Sequence, residues 1–106
     1  MAKAIINRVL YDTEKAEEIA SVTSGGSVTD FSHWEETLYL SKNGLWFLHG
    51  TGGPLSKWRE STGQNSWTGG SRIEAFYDDE EVMSWLESHD FVATLEAHFA
   101  DKISEA

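Results

Sequence analysis

Along residues 3–11, KAIINRVLY, apolar and polar positions alternate well enough to predict one strand, with Ile5, Val9 and Tyr11 on one face and Ile6 and Leu10 on the other. DTEKAEEIAS, residues 12–21, changes period. Asp12 or Thr13 can cap a helix, Glu14 favours its first turn, and Ala16, Ile19 and Ala20 form a narrow apolar stripe. Gly25 and Gly26 then break the chain, and TSGGSVTD reads as a loop.

The sharpest local pattern is ETLYLSKNGLWFLH. Asn43-Gly44 between two apolar runs predicts a hairpin with a two-residue type I′ turn, since both central residues must take positive φ. That turn pairs Lys42 with Leu45, Leu40 with Phe47, Tyr39 with Leu48 and Leu38 with His49. Leu38, Leu40, Leu45 and Phe47 then share a candidate core face, and Trp46 lies opposite Phe47. Pro54 suits a first helical turn and Gly63 a helical stop, so PLSKWREST predicts two turns of helix.

GQNSWTGG leads into a strand, SRIEAFY, with Ile73, Ala75 and Tyr77 facing one way. DDEEVMSWLESHD predicts a helix capped by Asp78 or Asp79, with Val82, Trp85, Leu86 and His89 at helical spacing and Trp85 in the core. Asp90 is placed to cap a last helix in which Phe91, Leu95 and Phe99 recur every four residues, with Val92 beside them. The order β-α-β-β-(α)-β-α-α predicts a single α+β domain over residues 1–106: a small antiparallel sheet of three to four strands around a central hairpin, packed with helices, the C-terminal ones acidic.

The 106 residues carry no cysteine, which excludes disulfides, thiolate metal sites and thiol nucleophiles. No 18-residue apolar run occurs, and the N-terminal residues lack a signal-peptide core, so a soluble, cytoplasmic protein is expected. Charge is uneven. Residues 1–41 net −4, residues 42–72 net +3, and residues 73–106 net −9, ten acids against Lys102 alone, within a total of −10. Such a field repels nucleic acid and membranes and speeds encounter with basic partners.

WFLHGTGGPLSKWRESTGQNSWTGG, residues 46–70, holds six of the nine glycines, three of the five tryptophans and the only proline. Glycine amides leading into a helix start, with Lys57 and Arg59 one turn on, are the ingredients of an anion site. The candidate residues are His49, Gly52, Gly53, Lys57, Trp58, Arg59 and Trp67. The stretch lacks the spacing of a phosphate loop or a dinucleotide fingerprint, so the simpler reading is a tight turn with Trp58 packed on the sheet.

Catalytic patterns are weak. His33, His49, His89 and His98 are scattered, and HWEE offers His33, Glu35 and Glu36 without a third histidine at metal-site spacing. His89-Asp90 matches a dipeptide of metal-dependent phosphohydrolases, but Asp90 is better placed as a cap. No nucleophile elbow occurs. No enzyme, metal or cofactor is expected.

The ordered runs EETLYLSKNGLWFLHGTGGPLSKW, NSWTGGSRIEAF and SWLESHD resemble a family of small acidic proteins from bacterial mobile genetic elements and phages. The resemblance covers most of the chain and stops short of FVATLEAHFADKISEA. It implies an accessory role, of the kind filled by inhibitors of host defence such as anti-CRISPR proteins and DNA mimics. Combined with the charge map, it makes Asp78, Asp79, Glu80, Glu81, Glu87, Asp90 and Glu96 the expected partner-binding residues. The expected partner is a basic, nucleic-acid-binding surface of a host complex such as a CRISPR effector. The alternative is a small-ligand or anion-binding regulatory module built on the Gly50–Arg59 loop.

Overall fold

The computed structural model describes residues 2–24, 31–64 and 66–106; most of the expected loop at 23–30 lies outside them. The fold mixes strand and helix and is mostly sheet. Its elements are β1 (Lys3–Ile6), β2 (Val9–Asp12), β3 (Glu17–Thr23), β4 (Trp34–Leu40), β5 (Trp46–Gly52), β6 (Glu60–Gly63), β7 (Ser66–Thr68), β8 (Gly70–Ala75), α1 (Asp79–Ser88), α2 (Val92–Phe99) and a 3-10 turn at Ala100–Lys102. They fall into two compact units, Met1–Ala75 and Phe76–Ala106.

The first unit is built on an antiparallel sheet of order β3-β4-β5-β8, with β1-β2 and β6-β7 as separate two-stranded ribbons. Several sequence expectations are corrected by this arrangement. The strand expected over 3–11 is a hairpin, because Asn7 and Arg8 both adopt left-handed φ (51° and 66°). That is the backbone of a type I′ turn. Ile5 then pairs with Leu10 on the outside, 72% and 48% exposed, while Tyr11 turns inward.

The helix expected over 12–21 is strand β3. Asp12 still bonds locally, its Oδ1 accepting from the Glu14 amide at 2.9 Å, but it closes a turn and not a helix. The Ile19–Ala20 pair that mimics a helical stripe sits at a β-bulge between Glu18 and Ala20, where alternation slips. The helix expected at PLSKWREST is a pair of turns running into β6.

The central hairpin forms, with a different turn. Ser41 and Leu45 close a three-residue loop (Ser41 amide to Leu45 carbonyl 2.8 Å, Gly44 amide to Ser41 carbonyl 3.0 Å). Gly44 takes φ 82° and Asn43 does not take positive φ. The loop is thus a turn followed by a left-handed glycine bulge. One extra loop residue shifts every pair by one: Leu40 faces Trp46, Tyr39 faces Phe47, Leu38 faces Leu48 and Thr37 faces His49. The expected common face of Leu38, Leu40 and Phe47 is therefore split between the two sides of the sheet.

On one side Phe47 is fully buried, stacked on Tyr39 (5.3 Å, 14°) and edge-on to Tyr11 (5.3 Å, 65°), with Ile73 completing the cluster. Burial, with Glu18 as a lesser cause, raises the pKa of the Tyr39 phenol. On the other side lie Ala20, Leu38 and Leu48.

The second unit is helical. Asp78 caps α1, its Oδ1 accepting from the Glu81 amide at 3.1 Å, and Glu81 reciprocates by accepting from the Tyr77 amide. Val82 and Leu86 are buried; Trp85, expected in the core, is half-buried, stacked on Phe91 (5.6 Å, 11°) and edge-on to His89. Asp90 does not cap α2. It has φ 59° and ends α1: the Asp90 amide reaches the Glu87 carbonyl at 3.1 Å and the Phe91 amide the Leu86 carbonyl at 3.0 Å. This is a Schellman closure, and the Phe91–Trp85 stack supplies its usual apolar contact. Phe91 precedes α2 without a side-chain cap, Leu95 and Phe99 are buried, and Val92 is exposed. Among the described residues, no helix is long and apolar enough to cross a membrane.

Candidate functional site

The glycine-rich stretch is organised around Trp58, whose ring is fully buried against the backbone of Gly50. A Cβ at Gly50 would stand 1.9 Å from the ring, so only glycine lets the indole lie on β5. Gly52 admits Ser56 in the same way (2.1 Å), and Gly70 admits the Trp58 carbonyl (2.2 Å). The indole Nε1 donates to Glu36 Oε2 at 3.1 Å, which gives a carboxylate buried to 8% exposure a charge-assisted partner.

Register explains the encounter: Glu36, Gly50 and Arg72 lie directly across from one another on β4, β5 and β8. The two-residue turn expected from sequence would set Glu36 against Thr51. Arg72 and Glu74 are therefore the residues that sequence reasoning missed, while Glu36 was read only as a weak metal-ligand candidate and Gly50 only as part of the loop. The available signal was a glutamate alternating with Leu38 toward the same side.

The bases that suggested an anion site are engaged within the fold. Lys57 Nζ lies 3.3 Å from Glu74 and 4.7 Å above the Trp58 ring. Arg72 is 3.7 Å from Glu74, 4.8 Å from the same ring, and donates to the Lys57 carbonyl at 3.1 Å. Arg59 stacks 4.0 Å over Trp67, which is 48% exposed on β7. Cation–π contacts as exposed as these contribute roughly 0.5–1 kcal/mol each. The amides are used as well. Gly53 donates to the His33 carbonyl (2.8 Å), Leu55 to Phe31 (2.9 Å), Ser56 to Gly53 (3.0 Å) and Arg59 to Ser56 (3.3 Å). With no helix start here, these four amides are donors within the fold and are not offered to an anion.

His49, counted with this loop by sequence, points to the opposite side of the sheet from Glu36 and Gly50, where its Nε2 lies 2.8 Å from Ser71 Oγ. Burial lowers its pKa, which favours the neutral ring. Among the described residues, no group of three or more His, Asp or Glu could hold a metal ion.

The acidic candidates are placed differently. Asp78, Asp79, Glu80, Glu81, Glu87, Asp90 and Glu96 are all exposed, as expected of carboxylates without buried partners. All lie in the second unit, which holds nine acids against Lys102, a net −8, while the first unit nets −2. Lys102 reaches Asp79 at 3.5 Å. Glu80 and Glu87, two turns apart on α1, share a helical stripe. No family model, no curated protein and no solved structure matches the chain.

Proposed function

We propose that this is an accessory protein of a phage or mobile element that inhibits a host defence complex by occupying a basic, nucleic-acid-binding surface with its acidic helical unit. The observation that carries the reading is the concentration of exposed carboxylates: nine on one 31-residue unit whose only lysine or arginine already pairs with Asp79. The mechanism is competition. Carboxylates engage lysines and arginines that otherwise hold phosphates, and the attraction weakens as salt screens it.

The test is capture of a partner from a host lysate, followed by affinity measurements at low and high salt and displacement by nucleic acid. Replacing Glu80, Glu81 and Glu87 with Gln keeps shape and hydrogen-bonding capacity while removing three charges. Partner binding should fall and lose salt sensitivity, with the thermal melt unchanged or slightly raised. Equal affinity with an equal salt slope, or a partner that nucleic acid does not displace, removes the reading.

A further inference from the structure

We propose that the cavity at the glycine end of the sheet is a binding site for an organic cation, an alkylammonium or guanidinium group. The cavity is an open groove of about 690 Å³ and belongs wholly to the first unit. That lies within the roughly 300–1,000 Å³ typical of small-molecule sites. Its polar side chains are His33, Glu35, Thr51, Glu60 and Ser71, and the rest of its wall is glycine backbone.

Charge sets the ligand class. Among the described residues no lysine or arginine lines the cavity, whereas two carboxylates do. The nearby bases are committed elsewhere: Lys57 and Arg72 to Glu74, and Arg59 to Trp67. An anion is therefore repelled from this cavity, although the surrounding segment, residues 42–72, is net basic. A bare metal ion is disfavoured because no group of three carboxylates or imidazoles converges among the described residues. An extended cation with several N–H donors fits spaced oxygens better.

The oxygens are held in place. Glu35, Thr51 and Ser71 lie directly across from one another on β4, β5 and β8, so their side chains share one side of the sheet. His33 Nε2 lies 3.5 Å from Glu35 Oε1, and His49 steadies Ser71 at 2.8 Å. The Glu60 stem packs where a side chain at Gly70 would be, 2.8 Å from that Cβ position and on the other side of the sheet from Ser71, so the two carboxylates flank the glycine end. The site does not depend on the acidic helices.

Titration with agmatine and with spermidine at physiological salt, followed by backbone amide NMR and calorimetry, tests the proposal. Saturable shifts should centre on Thr51, Gly52, Gly70 and Ser71, and Glu35→Gln and Glu60→Gln should each weaken binding about tenfold, one charged hydrogen bond's worth. The triple Gln variant at Glu80, Glu81 and Glu87 should bind as the parent does. A Lys- or Arg-containing peptide that binds with the same Glu35 and Glu60 dependence where the free amines do not identifies the cation as a protein side chain. Absence of saturable binding by amines and peptide at millimolar concentration, indifference to both glutamate substitutions, or an equal loss in the triple variant overturns the proposal.

Discussion

The two units handle charge in opposite ways. In the first, charged groups are folded into the structure: Glu36 under Trp58, Glu74 between Lys57 and Arg72, and Arg59 over Trp67. In the second, the carboxylates are exposed, and those with a described contact use it at a helix end or a surface pair: Asp78 and Glu81 at the start of α1, Asp79 with Lys102. A charge held by partners and packing serves stability; a charge left solvated costs little to keep and stays available to a partner. The difference teaches that the loop with the most suggestive sequence is the more structural of the two regions.

The largest expected effect breaks that loop. Trp58→Ala should cost about 3–5 kcal/mol through the lost indole and its cavity. Gly50→Ala should do comparable damage by pushing the ring off β5. Thermal melts and near-UV circular dichroism measure both, and a Gly50→Ala protein that melts like the parent would show that the ring does not lie where described.

Next is Gly44→Val, which forces a β-branched residue to φ 82° and should cost about 2 kcal/mol. A melt within error of the parent would argue for a hairpin with another turn. The second unit responds more mildly. Asp78→Ala removes the α1 cap and should cost about 1 kcal/mol, read as lost helical dichroism. Asp90→Gly relieves a left-handed non-glycine residue and should raise the melting temperature slightly. A lowered one would mean that the Asp90 side chain contributes more than its strain costs.

The smallest effect is pH-dependent. Because burial depresses the pKa of His49, the unfolded chain binds its proton more readily than the folded one, and stability rises with pH. The contribution is complete above the unfolded value of about 6.5 and is lost as the pH falls through the folded one. His49→Gln should flatten this part of the stability–pH curve, and an unaltered slope would assign it to other groups.

Legibility differed between the units for the same reason that their charges do. The α1 helix, a cap at Asp78 or Asp79 and the exposure of its carboxylates follow from neighbours within one or two turns, so spacing reveals them, and the structure chooses Asp78. Asp90 was misassigned because the same short polar residue serves a cap or a left-handed stop, and only the Leu86–Phe91 hydrogen bond separates the two. In the first unit, strand β3 was hidden by a bulge that breaks the period of two, and β1-β2 by a turn at Asn7-Arg8, which carries no glycine.

By itself the sequence determined the mixed α+β class, the Asn43-Gly44 hairpin, the α1 helix and the skewed charge, because each rests on local backbone preference or on composition. Tertiary structure decided the register, and with it which residues meet. One extra loop residue sets Glu36 opposite Gly50, and the missing Cβ there admits Trp58. No property of Glu36, Gly50 or Trp58 taken alone announces that contact: it depends on pairing across three strands, where a shift of one residue exchanges the two faces of the sheet.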